Sequence, residues 1–112
     1  MIRLRREFIR TATFERLWTA LDLGDEELRE LENTLLENPS AGAVIPGLRG
    51  GRKLRLALEG RGKSGGARVI YVDVVVREQI FLLLVYPKNV QPDLTADQKR
   101  MLQQLIQALK ED

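Results

Sequence analysis

The feature that most constrains the fold is a stretch of alternating basic and apolar residues that runs into a glycine-rich segment. Three leucines alternate there with two basic residues and an alanine: Lys53, Leu54, Arg55, Leu56, Ala57 and Leu58. Successive side chains of a β-strand point to opposite faces of a sheet. The alternation therefore predicts a strand that turns its leucines to a core and presents Lys53 and Arg55 on the other face.

Residues 49–68 also carry most of the positive charge. The whole chain has a net charge of only +2, yet this segment holds a single acid, Glu59, and seven basic residues: Arg49, Arg52, Lys53, Arg55, Arg61, Lys63 and Arg68. Glycines let a backbone approach phosphates closely, and Lys and Arg neutralise them with release of counterions. The alternative is ordinary solvated charge. Because the cations share one strand face and one glycine-rich loop, the pattern favours a surface that binds nucleic acid.

Composition limits the chemistry that the chain can perform. Its 112 residues predict a single domain over 1–112, and it contains neither cysteine nor histidine. Disulfides, thiolate metal sites and a histidine base are therefore excluded, and we predict no metal and no cofactor. No apolar run reaches the length of a membrane span, and the first ten residues lack the apolar core of a signal peptide. We expect a cytoplasmic protein without membrane association.

The remaining periodicities predict an α+β fold of order β-α-α-β-β-β-α. We expect strands over 2–10, from Lys53, over 67–76 and over 80–86, and a loop over 40–51. Thr13 and Asp25 are predicted caps of two helices, the second ending near Glu37, and Thr95 with Gln98 forms a capping box for a last helix. The two amino-terminal helices should pack on one face of a small, mostly antiparallel sheet. The other face is then partly open.

Both tyrosines lie in predicted strands. Tyr71 is predicted to face the helices as a core residue, whereas Tyr86 could belong either to the core or to the wall of a site.

Residues 57–64 approximate a phosphate-binding P-loop, but that motif must be followed at once by a helix. The sequence that follows is a predicted strand, so a P-loop is not expected.

Several motifs in order resemble a known family. They are Gly-Gly-Arg-Lys-Leu-Arg at 50–55, the glycine loop at 60–66, Ala-Arg-Val-Ile-Tyr at 67–71, Leu-Leu-Val-Tyr-Pro-Lys-Asn at 83–89 and Asp-Leu-Thr at 93–95. This arrangement resembles the HigB-like branch of the RelE/ParE toxin superfamily. The resemblance implies a type II toxin that cleaves mRNA on the ribosome. It also implies a HigA-like helix-turn-helix antitoxin, with which the toxin would form a hetero-oligomer that binds operator DNA through the antitoxin.

The resemblance also implies roles for individual residues. The basic residues that surround the scissile phosphate in such toxins correspond to Lys53, Arg55, Arg68 and Lys88. Flanking RNA would be bound by four further cations: Arg49, Arg52, Arg61 and Lys63. Asn89 stands where the best-studied toxins have a second arginine, and their carboxy-terminal catalytic tyrosine has no counterpart.

RNA cleavage by these residues needs no external nucleophile. The 2′-OH of RNA attacks the adjacent phosphate, so catalysis requires alignment, stabilisation of a dianionic state and proton transfer. Arginine stays protonated and binds phosphate in a bidentate manner. Our hypothesis is that Arg55 and Arg68 hold the phosphate while Lys53 and Lys88 share proton transfer.

Two other functions remain open from the sequence. A ParE-like inhibitor of DNA gyrase would share the fold without being a nuclease, although it would not need the basic strand. A non-catalytic, nucleic-acid-binding toxin relic is the other alternative, because of Asn89 and the missing tyrosine.

Overall fold

The computed structural model describes residues 5–58 and 66–111. The described strands are β1 (Glu7–Arg10), β2 (Ala43–Val44), β3 (Arg52–Leu56), β4 (Ala67–Val74) and β5 (Gln79–Pro87), and the α-helices are α1 (Ala12–Ala20), α2 (Asp25–Glu37) and α3 (Ala96–Lys110). A single 3-10 turn, Val75–Arg77, connects β4 to β5. No helix within the described ranges is long and apolar enough to cross a membrane.

One mixed sheet contains all five strands, in the spatial order β1-β5-β4-β3-β2. β1 runs parallel to β5, and every other neighbouring pair is antiparallel. The predicted mostly antiparallel α+β architecture is therefore confirmed. Strand β5 is buried from Ile80 to Tyr86, as its unbroken apolar sequence predicted, because strands pair with it on both sides and helices cover both faces.

The first face of the sheet packs against α1 and α2. Phe14 and Trp18 of α1, with Leu31 and Leu35 of α2, meet the side chains that β4 and β5 turn toward them. The apolar stripes at spacings of three and four residues explain why these helices lie flat on the sheet. This arrangement agrees with the prediction that the two amino-terminal helices share one face.

The second face is covered by α3 over its centre. Leu102 and Ile106 pack on a cluster that includes Ile70, Val72 and Leu84. The expected open area is therefore restricted to the end of the sheet where β3 ends and β4 begins.

An additional residue in β5 reverses the facing of its last residues. Tyr71 pairs with Leu82 but Ile70 pairs with Leu84, so Leu83 is inserted as a β-bulge. Before the bulge, Ile80 and Leu82 face α1 and α2. After it, Leu84 and Tyr86 face the α3 side instead. Strict alternation would have turned Tyr86 toward α1 and α2.

Several predicted boundaries were wrong by a few residues. Thr11, not Thr13, caps α1, because its hydroxyl accepts a hydrogen bond from Phe14 N at 2.9 Å. Gly24, not Asp25, is the cap residue of α2, and the Glu27 carboxylate accepts from Gly24 N. The predicted capping box of Thr95 and Gln98 is confirmed.

Three strand assignments also needed correction. The predicted loop over 40–51 contains the two-residue strand β2. Leu58 is buried but lies beyond β3, which ends at Leu56. β4 ends at Val74, since the chain enters the 3-10 turn there. The first strand is described only from Glu7 onward, and residues 2–4 of the predicted strand lie outside the described residues.

The Tyr71 hydroxyl joins the segment after α2 to the core. Fully buried, it donates to Pro39 O at 2.7 Å and accepts from Gly42 N at 2.9 Å. A β-carbon at position 42 would lie 2.8 Å from Lys53 O. Only glycine therefore allows the backbone at this position to approach β3 so closely. These contacts hold β2 beside β3.

We predict that Tyr71→Phe lowers the free energy of unfolding by about 1–3 kcal/mol, because Gly42 N loses its buried acceptor. Urea denaturation measures this change. Tyr86→Phe is the matched control, since the buried Tyr86 hydroxyl has no hydrogen-bond partner within the described part of the chain. Equal stability of Tyr71→Phe and the wild type would contradict the role assigned to this hydroxyl.

Candidate functional site

Three cations gather on the α3 side of the sheet, at the end where β3 and β4 meet. Lys53 and Arg55 of β3 point to this side, as predicted from the alternation, and Arg55 pairs directly with Arg68 of β4. Residues that face each other in an antiparallel pair have β-carbons about 5 Å apart, and like charges there repel. We call Lys53, Arg55 and Arg68 the cationic face. The Arg68 guanidinium also donates to Ala67 O at 3.2 Å. Two neighbouring guanidinium groups suit a bound phosphate.

The cationic face contains a carboxylate as well. Asp93, in the connection from β5 to α3, lies 3.7 Å from the Lys53 ammonium, and its side chain is 80% exposed while that of Lys53 is 37% exposed. An ion pair so exposed contributes little to stability. Lys53 can therefore exchange Asp93 for another anion at small cost.

Lys88 is held at the same end of the sheet by its backbone. Lys88 N donates to Gly66 O at 3.0 Å, immediately beyond the last rung between β4 and β5. Gly66 has φ +66°, and a β-carbon there would collide with Leu56 O. Glycine at this position thus lets β3, β4 and the end of β5 come together below the exposed Lys88 side chain.

Tyr86 belongs to this site as well, on the third strand of the same row. It pairs with Arg68, which pairs with Arg55. Its hydroxyl is buried and, among the described residues, has no hydrogen-bond partner. Burial raises the pKa of Tyr86, Asp93 raises this pKa further, and Arg68 opposes both. The hydroxyl is therefore protonated at neutral pH and can donate one hydrogen bond.

An unsatisfied buried hydroxyl is costly and uncommon in folded proteins. Tyr86 is 4% exposed, so a ligand reaches its hydroxyl only after neighbouring groups shift. Asp93 raises the Tyr86 pKa, and its contact with Lys53 is an exposed, exchangeable ion pair. An anion that replaced Asp93 at Lys53 would therefore also change the electrostatic environment of the Tyr86 hydroxyl.

Two other predicted site residues, Arg52 and Arg49, are not brought to this face. Arg52 points to the opposite side, with Tyr71, and its guanidinium donates to Gly42 O at 2.7 Å. Arg49 lies in the connection from β2 to β3, where Lys110 near the carboxy end of α3 donates to its carbonyl. Arg61 and Lys63 lie outside the described residues.

Two members of the site were not predicted from the sequence. Tyr86 was left open between core and site wall, because only the bulge at Leu83 decides its face. Asp93 entered the sequence analysis solely as part of a motif. The available signal was the position of Asp93, two residues before the helix cap Thr95. That position places its carboxylate near the start of α3, beside Lys53.

Beside the Asp93 carboxylate, the site combines three kinds of group that can bind a phosphate. Arginines can bind phosphate through two parallel hydrogen bonds. Lysines supply mobile charges, and the Tyr86 hydroxyl supplies a neutral donor. Together they can neutralise a phosphodiester and donate to an oxygen on which negative charge develops.

Comparison with known proteins agrees with this architecture. The chain matches the family model described as RelE toxin of the RelE/RelB toxin-antitoxin system over residues 6–111. The structure is similar to the free E. coli toxin RelE, an arginine-to-alanine double mutant, with a TM-score of 0.57 and 19% identity, covering 79% of this chain and 88% of that chain.

A second solved structure is also similar. It is the intact E. coli RelBE toxin-antitoxin complex, matched with a TM-score of 0.53 and 21% identity, over 71% of this chain and 93% of that chain. At such identities the likeness shows a shared fold, of three helices and a five-stranded mixed sheet. The family model covers nearly the whole chain, and the chain therefore belongs to the RelE family, the toxins of RelE/RelB toxin-antitoxin systems.

Proposed function

We propose that this toxin is a ribosome-dependent mRNA endonuclease that cleaves by attack of the RNA 2′-OH on the adjacent phosphate. The observation that carries the proposal is the row formed by Arg55, Arg68 and Tyr86 across three neighbouring strands. Paired arginines suit a phosphate that gains charge during the reaction, as does a protonated hydroxyl that has no partner among the described residues. A toxin that acted only by binding gyrase would not need this row.

The position of each side chain in the site suggests its role in the cleavage reaction. Arg55 and Arg68 would hold the two non-bridging phosphate oxygens, and Lys53 and Lys88 would share proton transfer. Lys53 would first exchange Asp93 for the substrate phosphate. Once neighbouring groups shift, the Tyr86 hydroxyl would donate to the substrate. In the reaction, the 2′-oxygen loses its proton and bonds to phosphorus, and the 5′-oxygen of the next nucleotide leaves with a proton.

We also propose which branch of the family the toxin belongs to. The motif order between residues 50 and 95 supports a HigB-like toxin, neutralised in the cytoplasm by a HigA-like antitoxin with a helix-turn-helix domain. One of the similar solved structures is a toxin bound to its antitoxin. A hetero-oligomer that binds operator DNA through the antitoxin follows from this assignment.

We predict that Arg68→Ala lowers the rate of message cleavage by about 100-fold or more, because one charged donor to the transition state is lost. Primer extension on a defined message, with and without ribosomes, measures the cleavage. Arg29→Ala, which removes an exposed arginine from α2, is the control and should cut at the wild-type rate. Full cleavage by Arg68→Ala would contradict the assignment. If the wild type left message and translation intact, a gyrase inhibitor or an inactive relic would replace the nuclease.

A second prediction concerns Asp93. Asp93→Asn should raise the affinity for single-stranded RNA about fivefold, since one exposed charge at a few ångströms contributes about 1 kcal/mol in water. Fluorescence anisotropy with a labelled 2′-O-methyl oligonucleotide measures binding without cleavage. Glu30→Gln makes the same charge change on an exposed residue of α2 and should have a much smaller effect. Equal gains in the two variants would show a general charge effect and contradict the exchange at Lys53.

The third prediction separates stability from activity at Tyr86. Tyr86→Phe should leave the free energy of unfolding unchanged or slightly higher, because the lost hydroxyl was buried without a partner among the described residues. The same variant should cleave about tenfold to 100-fold more slowly, since the donor to the substrate is lost. Urea denaturation and single-turnover cleavage on ribosomes measure the two effects. If Tyr86→Phe cleaved message at the wild-type rate, the Tyr86 hydroxyl would have no role in the reaction.

A further inference from the structure

A second polar groove lies between the connection from β2 to β3 and the outer side of α3. It encloses about 380 Å³ and is lined by Gly47, Arg49, Arg100, Gln103, Gln104 and Gln107. Two guanidinium groups and three carboxamides thus line one cavity, with no acid among the residues that line it in the described structure. We call this the α3 groove.

The wall of the α3 groove is fixed before any ligand binds. The Gln103 amide donates to Gly47 O at 2.7 Å, and the Lys110 ammonium donates to Arg49 O at 2.7 Å. Beneath the connection, Leu48 is fully buried in the cluster that contains Ile106. The groove is therefore a preformed feature of the fold, and binding there needs little ordering of the backbone.

Arg49 occupies an unfavourable backbone conformation. Its φ is +50°, between Gly47 at +77° and Gly50 at +93°. Glycine adopts this left-handed region without a steric penalty, and a long side chain does not. Strained positions of this kind cluster at functional sites. Position 49 holds an arginine although glycine would adopt this backbone conformation without strain, and the arginine side chain lines the groove.

The lining chemistry matches the backbone of single-stranded RNA. Arginine binds phosphate oxygens, and a carboxamide can both donate to and accept from a ribose 2′-OH or a base edge. Arg100 pairs with Asp97 at 3.3 Å, but the two side chains are 67% and 89% exposed, so this pair is weak and exchangeable. Three carboxamides beside two arginines thus offer both donors and acceptors to the sugar and base edges that accompany each phosphate.

The groove and the cationic face lie along the same helix, because the segment that leads into α3 contacts the cationic face. Asp93, which contacts Lys53, lies just before the Thr95 cap of α3. At 1.5 Å per residue, Arg100 lies about 6 Å and Gln107 about 17 Å along the helix axis from Ala96. We propose that the α3 groove binds the message strand on one side of the scissile phosphate. This inference rests on the proposed function and adds the path of the substrate to it.

The test is the salt dependence of RNA binding. Arg49→Gln combined with Arg100→Gln should weaken binding of a long single-stranded 2′-O-methyl RNA about tenfold or more. Two lost phosphate contacts should also reduce the slope of log affinity against log salt by about 1.4. A short oligonucleotide that fills only the cationic face should bind the double variant as it binds the wild type. Arg16→Gln with Arg29→Gln removes two exposed helical arginines and serves as the control.

Arg49→Gly provides an independent readout, since it relieves the backbone and removes the side chain. Its Tm should be equal to or above that of the wild type, while its affinity for the long RNA falls. If the groove variants bind long RNA as the control does while Arg68→Ala binds it weakly, the groove inference fails and the proposed function stands. Normal RNA binding with lost antitoxin binding would also overturn the inference. If the wild type did not bind the free RNA, the groove inference would fail, while message cleavage on ribosomes would still decide the proposed function.

Discussion

The antiparallel pairing of β4 with β5, with one additional residue at Leu83, determines which side chains reach the site. Both strands are almost entirely buried, so each side chain must face either α1 and α2 or α3. The bulge changes the facing of every residue after it. It places Tyr86 beside Arg68 on the α3 side. Regular alternation would have placed Tyr86 on the side of α1 and α2. The bulge therefore assembles one polar row from three strands.

The site is formed where the packing of the helices ends. α3 covers the apolar centre of the second face, and the row of Arg55, Arg68 and Tyr86 lies at the end of the sheet where β3 and β5 end and β4 begins. Tyr86 is still part of the buried cluster, but Arg55 and Arg68 are not, so those two positions can be basic. A rigid ladder beneath them fixes the spacing of Arg55 and Arg68, and two like charges at that spacing favour an anion between them. The same ladder thus builds the sheet and orders the site for a phosphate.

Much of this arrangement could be predicted from the sequence. The alternation around Lys53 and Arg55 predicted their common face, and the apolar run over 80–86 predicted a strand covered on both sides, because these periods follow directly from strand geometry. The ends of elements were less predictable, since both Thr11 and Thr13 could cap α1 and only packing chooses between them. Arg52 could not be separated from its neighbours by charge. Its distinct role follows from contacts with the carbonyls of residues 40 and 42, which are distant from it in sequence.

The central claim is that the cationic face promotes attack of a 2′-oxygen on its own phosphate. The chemistry of the new RNA ends tests this most directly. Message cleaved by the toxin on intact ribosomes should carry a 2′,3′-cyclic phosphate or its opened phosphate on the upstream fragment and a 5′-hydroxyl on the downstream fragment. Labelling of the downstream fragment by polynucleotide kinase without prior phosphatase treatment detects that hydroxyl, and the same reaction with Arg68→Ala should give no new labelled end. A 5′-phosphate with a free 3′-hydroxyl would show attack by water from the other side of the phosphate, and would contradict the account.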